Sequence, residues 1–361
     1  MGTTGQSTKT GKEDDLEVRS FTEDELVGVA ADVLRGLGAP AATAQMVATS
    51  LVLSNLVGHD SHGIVRLLQY SDMVNSGQVK PTGMPHVAQE RGAVAVVDGG
   101  WGFGQPAAQL ATRLSTELAS ANGIAAVSVT SCNHIGRLGE YVASIAASGQ
   151  MGMAFCNSGP IVAPFGGSGR VMGTNPFAWS APLHNGSVVL DFATAKVAEG
   201  KLKIAMAEGR PAPPGSIIDN AGRPTVDPAD LYNGGALLPF GDHKGSGMSM
   251  LIELTAGLVS KMGTSVDPGY QGGNGTLLMA LDIEAFTDRD RFFEQAETFC
   301  REVKRIGGGP NGADVLLPGE FEARMLESRR AGGVLVAGEI RRQITVLADG
   351  LGVGIGPFAL R

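Results

Sequence analysis

Glycine occupies 53 of the 361 positions, about twice its usual share of roughly 7%. No G-X-Y period runs through them, so a collagen-like fibre is excluded. The glycines therefore belong to turns and to places where backbone must approach backbone closely. They punctuate the chain unevenly. The first quarter reads as helices, whereas between Met151 and Gly241 short apolar runs are broken repeatedly by Gly and Pro. Such a chain folds as helices joined to a sheet with many tight connections.

Order is expected from about Ser20. Thr22-Glu-Asp-Glu25 has capping-box spacing, and Leu26, Val29, Val33 and Leu37 follow at helical intervals. Gly38 and Pro40 end that helix, a second runs over 41–57, and a third is expected over 61–76, stopping at Asn75-Ser-Gly77. Strands are expected over 93–98, 124–130, 187–192 (as a central strand) and 276–283. Helices are expected over 106–122, 246–261, 288–306, 320–330 and 337–347. The helix over 288–306 carries Phe292, Ala296, Phe299 and Val303 on one stripe.

Lys and Arg number 28 against 36 Asp and Glu, a net charge of −8. With no basic run to supply a phosphate footprint, a nucleic-acid partner is not expected. The longest uncharged stretch, Tyr141 to Gly169, is interrupted by Ser, Gly, Gln, Asn and two prolines, so no membrane helix is expected there. Cys132, Cys156 and Cys300 form no paired framework and no C-x-x-C, which points to a reducing cytoplasm. Residues 1–19 have no apolar core like that of a signal peptide and read as a loose tail.

Two segments carry the densest chemistry. In Gly58-His-Asp-Ser-His-Gly-Ile-Val-Arg66, followed by Tyr70, a helix beginning near Ser61 would put His62, Arg66 and Tyr70 on one face at i, i+4, i+8. A proton donor, a guanidinium and a phenol on one stripe suit a small acid with a second oxygen, because Arg can hold a carboxylate bidentately while His moves a proton. A solvated helix face capped by Ser61 is the ordinary alternative. His59, Asp60 and His62 also suggest a metal-dependent lyase or hydrolase, but adjacent side chains diverge and no second ligand cluster exists, so no metal is expected. The other segment, Ser131-Cys-Asn-His-Ile-Gly-Arg-Leu-Gly139, puts His134 on a strand-to-helix loop, where catalytic groups are often presented.

Glycine loops add a third element. Gly102-Phe-Gly104-Gln-Pro-Ala107 matches the relaxed dinucleotide fingerprint G-x-G-x-x-A. However, no acid ends the next strand and Pro106 removes an amide donor, so a tight helix entry is the better reading. Gly241-Asp-His-Lys-Gly-Ser-Gly247 stands just before a helix, where amides, dipole and the Lys244 ammonium would converge on an anion. Pro164-Phe-Gly-Gly167 and Gly173-Thr-Asn-Pro176 are further loops where backbone could approach a flat ligand.

Together these segments resemble the malate/lactate dehydrogenase type 2 family of non-Rossmann NAD(P)-dependent 2-hydroxyacid dehydrogenases, from about Phe21 onward. The likeness rests on Asp60-Ser-His-Gly-Ile-Val-Arg66, Asn133-His-Ile-Gly136, Val162-Ala-Pro-Phe-Gly-Gly167, Gly173-Thr-Asn-Pro176, Leu190-Asp-Phe-Ala-Thr194, His243-Lys-Gly-Ser-Gly247 and Leu317-Pro-Gly-Glu320. Gly58-His-Asp-Ser-His, His134-Ile-Gly-Arg and Pro211-Ala-Pro-Pro-Gly215 are most similar to its hydroxycarboxylate dehydrogenase subgroup.

The resemblance implies an α/β fold with a non-Rossmann NAD(P)-binding domain built on a large, mostly antiparallel sheet, plus helical N- and C-terminal segments. It divides the chain into a tail (1–19), a helical substrate-side region (20–90), a small α/β region (91–150), a cofactor sheet domain (151–290) and C-terminal helices packing on the N-terminal region (291–361). It implies hydride exchange between NAD or NADP and a 2-hydroxy or 2-oxo carboxylic acid, with a cyclic imino acid or a ureidoglycolate-type substrate as the alternative. Ser61, Arg66, Tyr70 and Thr174 are implied on the substrate side. His134 and His62 are the implied catalytic pair; members use either as acid/base, and His134 is preferred here with His62 orienting the substrate oxygen. Ser158, Val188, Val189, Leu190, Asp191, Phe192, Ala193, His243, Lys244, Gly319 and Glu320 are implied to touch the cofactor. A homodimer is implied as well.

Overall fold

The structure, a computed structural model, describes residues 18–306 and 314–360. Residues 1–17 of the expected tail lie outside the described residues. The chain divides into two compact units, one made of the residues through Thr82 together with those from Glu322, the other of Gly83–Phe321.

Strand β1 (Arg19–Phe21) opens the first unit, so Arg19 belongs to a strand and not to a tail. Helices α1 (Glu23–Gly36), α2 (Ala41–Leu56) and α3 (Arg66–Asn75) follow. The Thr22 hydroxyl accepts the Glu25 N–H at 3.3 Å and the Glu25 carboxylate accepts the Thr22 N–H at 2.8 Å, closing the expected capping box. Leu26, Val29, Val33 and Leu37 are all buried.

The helix expected from Ser61 starts only at Arg66. Residues Asp60–His62 form one 3-10 turn and Gly63 is extended (φ −85°, ψ −154°), which takes His62 off the stripe shared by Arg66 and Tyr70. The cause is Asn55, buried in α2. Its side-chain oxygen accepts the Ile64 N–H at 2.9 Å, its amide donates to Asp60 at 2.7 Å, and it fills the space a Cβ on residue 63 would need.

The second unit begins with β2 (His86–Arg91), β3 (Val94–Asp98), α4 (Gly104–Asn122), β4 (Ile124–Thr130), α5 (Leu138–Ala147), β5 (Met151–Cys156), β6 (Phe177–Leu183) and β7 (Gly186–Phe192). A small lobe comes next, made of α6 (Glu199–Ala207), β8 (Ile217–Ile218), β9 (Pro224–Thr225), α7 (Pro228–Tyr232) and β10 (Ala236–Leu237), with Val162, Leu202, Ile217, Leu231 and Leu237 at its core. Helix α8 (His243–Ile252) runs on into a π-helical turn over Glu253–Leu258, and β11 (Thr276–Leu281) and α9 (Arg289–Arg305) complete the unit.

Seven strands form one sheet in the order β2-β3-β4-β11-β5-β6-β7. Five of its six pairings are antiparallel; only β3–β4 is parallel, and α4 supplies the crossover it needs. This is the α/β architecture with a large, mostly antiparallel sheet. Alternate residues on the inner strands point to one face, where Val127, Val129, Ala154 and Leu278 pack under Ala107 and Ala111 of α4 and Leu138 and Val142 of α5.

Three expectations differ from this arrangement. The division at 150 runs through a single sheet, because β11 joins β4 to β5. The strand over 187–192 is β7, an edge strand and not a central one, and its outer side meets the 317–319 turn, where the Val189 N–H donates to the Pro318 carbonyl. Helix α9 stays with the sheet, packing on β6 and the 283–285 turn, and its stripe is not core: no residue of α9 is buried and Phe299 is 69% exposed.

From Glu322 the chain rejoins the first unit through α10 (Glu320–Gly332), β12 (Val334–Val336) and α11 (Gly338–Gly350). Strand β12 pairs antiparallel with β1, α11 packs on α3 and α1, and Phe358 meets Phe21 at 4.9 Å. Buried Arg341 donates to the Phe358 and Ala359 carbonyls at 2.8 and 2.9 Å.

Candidate active site

In the sheet unit, the His134 loop is held by glycine contacts on one side and amide bonds on the other. Gly104 lies against the carbonyls of Asn133 and His134, and Gly102 against that of Gly83, each too close for a Cβ. Asn133 donates to the Trp101 and Gly102 carbonyls at 3.1 and 2.9 Å. The glycines of the relaxed fingerprint are thus packing devices. Trp101 (φ 54°) and Ser131 (φ 48°) take left-handed conformations in the same two loops, a strain that tends to collect at functional sites.

Asn274 ties this loop to the next. Its N–H donates to the Cys132 carbonyl at 2.8 Å and its amide to the Asn157 carbonyl at 2.7 Å. Beside Asn157, Ser158 and Thr174 come together: the Thr174 N–H donates to the Ser158 hydroxyl at 3.2 Å, and the Ser158 N–H donates to the Asn175 side chain at 3.1 Å. Thr194, just past β7, donates to the Thr174 carbonyl through both N–H and hydroxyl at 2.8 and 2.9 Å.

Strand β7 brings further expected residues into reach. Asp191 accepts the Gly139 N–H at 2.6 Å, which fixes the start of α5 and hence the end of the His134 loop. The Val189 N–H donates to the Pro318 carbonyl at 3.1 Å, and Gly319 (φ 92°) rests 3.2 Å from that same nitrogen, counted from where a Cβ would stand. Glu320 accepts the Leu317 N–H at 3.0 Å and pairs with Lys304 at 2.6 Å. Phe192 packs edge-on against Phe240 at 5.3 Å, and Phe240 leads into Gly241-Asp242 at the start of α8. There His243 and Lys244 are exposed, and Asp242 is again left-handed (φ 57°). The sheet unit therefore gathers His134, Ser158, Thr174, 188–193, His243, Lys244, Gly319 and Glu320 through a continuous set of contacts.

Sequence reasoning did not find the group behind these loops. Glu253, in the π-helical turn, is 6% exposed and accepts from Asn157 (3.1 Å), Asn175 (2.9 Å), the Gly173 N–H (3.3 Å) and the Ser265 N–H (2.9 Å). Its signal was present: Glu253 is the only charged residue between Gly245 and Ser260. Nearby, burial pushes the Cys156 thiol up to about 12, and burial likewise raises that of Cys132.

Of the residues expected on the substrate side, Ser61, Arg66 and Tyr70 belong to the helical unit and Thr174 to the sheet unit. Arg66 donates through Nε to the Ser61 carbonyl at 2.7 Å and through a terminal nitrogen to Gln69. The Ser61 hydroxyl meets His62 Nδ1 at 3.2 Å, and Tyr70, one turn on from Arg66, is buried. Asp60 is held by both terminal nitrogens of Arg329 at 2.7 and 3.0 Å, and His59 Nε2 pairs with Glu322 at 2.9 Å. Both residues are thus paired within the helical unit. No group of three or more His, Cys, Asp or Glu among the described residues is arranged to hold a metal, and no helix among them is long and apolar enough to cross a membrane.

A family model described as malate/L-lactate dehydrogenase matches residues 21–345. The chain belongs to the malate/L-lactate dehydrogenase family. The malate/(S)-sulfolactate dehydrogenase of Methanothermus fervidus is 34% identical over 327 residues, covering 89% of this chain and 95% of that protein. Hydroxycarboxylate dehydrogenase B of Escherichia coli (strain K12) is 35% identical over 314 residues, covering 84% and 86%. The solved malate dehydrogenase of Pyrococcus horikoshii superposes with a TM-score of 0.85 at 31% identity, over 93% of this chain and 97% of that one. As a member of the malate/L-lactate dehydrogenase family, the chain is an oxidoreductase acting on hydroxy acids.

Proposed function

We propose that the chain exchanges a hydride between NAD or NADP and a 2-hydroxy or 2-oxo carboxylic acid of the malate, lactate or hydroxycarboxylate type. The observation that carries this reading is the convergence within the sheet unit: an edge strand, a left-handed glycine turn and a basic helix start, all tied to a loop that presents a histidine. These residues fit a dinucleotide. The half-buried apolar side chain of Val188 suits a flat ring, its neighbour Val189 packing on the core, Gly319 keeps the strand edge clear of a Cβ, and Lys244 with the α8 amides suits a diphosphate. The nicotinamide, when bound, supplies or accepts the hydride.

The chain's own groups do the rest. Arg66 holds the substrate carboxylate, with Ser61, Tyr70 and Thr174 on the substrate side. His134 gives or takes the proton of the substrate oxygen, and His62 orients that oxygen. Ser158, Val188 to Ala193, His243, Lys244, Gly319 and Glu320 hold the cofactor. All three cysteines are free thiols, which supports a reducing, cytoplasmic setting.

A homodimer belongs to the same proposal. Met250, Leu251, Leu254 and Leu258 are exposed along α8 and its π-helical extension, an apolar stripe that a second copy would cover. Leu254→Glu should convert a dimer to a monomer in light scattering; a wild-type monomer overturns this part.

The test of the activity is the reduced-nicotinamide absorbance, with NADH and NADPH each paired with pyruvate, oxaloacetate, 2-oxoglutarate and phenylpyruvate in the presence of EDTA. Turnover with at least one pair is expected. Clear NAD(P)H binding without turnover on any oxo acid would shift the substrate to cyclic imino or ureido acids.

A further inference from the structure

All four partners of Glu253 are N–H donors, two on each carboxylate oxygen. Oε2 takes Asn157 and Ser265, and Oε1 takes Asn175 and Gly173. A group that accepts at both ends is required. A glutamine in either orientation would aim its own NH2 at two of those donors. The backbone is shaped around the contact as well: Gly257 and Gly275 leave room for the Asn157 side chain, at 2.7 and 2.8 Å from where their Cβ atoms would stand.

What the carboxylate holds is specific. Asn175 is left-handed (φ 34°) and fully buried, and its amide nitrogen is fixed by Glu253 and by the Ser249 hydroxyl at 2.9 Å. Its oxygen takes the Ser158 N–H, while Thr174, the residue before it, donates to the Ser158 hydroxyl. Asn157, the residue before Ser158, is the other amide on Glu253. One carboxylate thus sets both arms of the Ser158–Thr174 pair.

We propose that Glu253 is a positioning residue for this dehydrogenase, whose carboxylate fixes the spacing of Ser158 and Thr174 and thereby the affinity for the nicotinamide cofactor. This rests on the reading of Ser158 as a cofactor ligand given under Proposed function.

The test is Glu253→Gln, compared with Glu253→Asp, which keeps both acceptor oxygens. Glu253→Gln should raise the Kd for NADH or NADPH, read by fluorescence titration, about tenfold or more, the equivalent of one to two unsatisfied donors; Glu253→Asp should recover part of it. In the protein without cofactor, the Ser158 and Thr174 amides should exchange with deuterium faster than in wild type while the β4 and β11 amides keep their rates. A uniform increase across the sheet would mean a merely structural acid and overturn the proposal. On a Ser158→Ala background the substitution should cost little further affinity, because the two act in series; a full additive loss also overturns it. Should Glu253→Gln fail to fold, Ser249→Ala removes one acceptor from Asn175 and should raise the same Kd by roughly threefold, a mild loss for a single hydrogen bond. An unchanged value refutes the inference. Wild-type protein that binds neither cofactor would refute the functional reading instead, and the exchange measurement would still decide the role of Glu253.

Discussion

The Arg66 guanidinium is oriented before any acid arrives: Nε is spent on the Ser61 carbonyl and one terminal nitrogen meets Gln69. A preoriented fork loses little entropy on binding a carboxylate. Arg66→Ala should therefore raise the KM for the oxo acid by a charge-assisted bond, about 1.5–3 kcal/mol or roughly 10- to 150-fold, and Arg66→Lys should recover only part of it. Steady-state kinetics check both, and an unchanged KM removes the clamp role. His134→Ala should lower kcat about 10²- to 10⁴-fold if that histidine moves the proton; the same loss in His62→Ala alone would exchange the two roles. Thiol chemistry at this scale follows from burial, which raises Cys132 and Cys156, while Cys300 sits on α9 nearer the surface. Partial burial and the nearby Glu320 and Glu297 raise Cys300 as well, so native protein should give one slowly reacting thiol with Ellman's reagent, its rate still climbing above about pH 9. The other two should stay silent until guanidinium is added.

At the scale of elements, two loops are held by packing that a single methyl group or guanidinium would disturb. Gly104→Ala puts its Cβ on the Asn133 and His134 carbonyls, so the loop must move. Displacements near 1 Å can cost about 100-fold in rate, and kcat should fall with little change in the KM of the cofactor. Arg329→Ala frees Asp60 and the Asn55 carbonyl and should lower unfolding stability by roughly 1–2 kcal/mol, measured in urea. Elements with a strong local period were legible in sequence: the α1 capping box, α4, and β4 over Ile124–Thr130 with its boundaries intact. Those decided by distant partners were not. Nothing local tells that Asn55 in α2 will hold Gly63 extended and delay α3 to Arg66. The edge position of β7 depends on the order of seven strands, and the α9 stripe satisfies helical periodicity without reaching the core. The site divides the same way. Histidine and glycine motifs stand out one by one, whereas Glu253 acquires meaning only when residues 157, 175 and 265 fold around it.

For the molecule as a whole, the helical unit is assembled from both flanks of the sheet unit. Arg19 pairs with Val336 and Phe21 with Val334, so the smallest sheet joins positions more than 300 residues apart. On a ribosome adding about 5–20 residues per second, the seven-stranded sheet has every strand outside the exit tunnel before β12 exists. Helices α1 to α3 must wait with Phe21 uncovered until α11 and Phe358 emerge. Translation order therefore makes the helical unit the last to become native, and the stretch most open to chaperones in that interval is the one that carries α1 to α3.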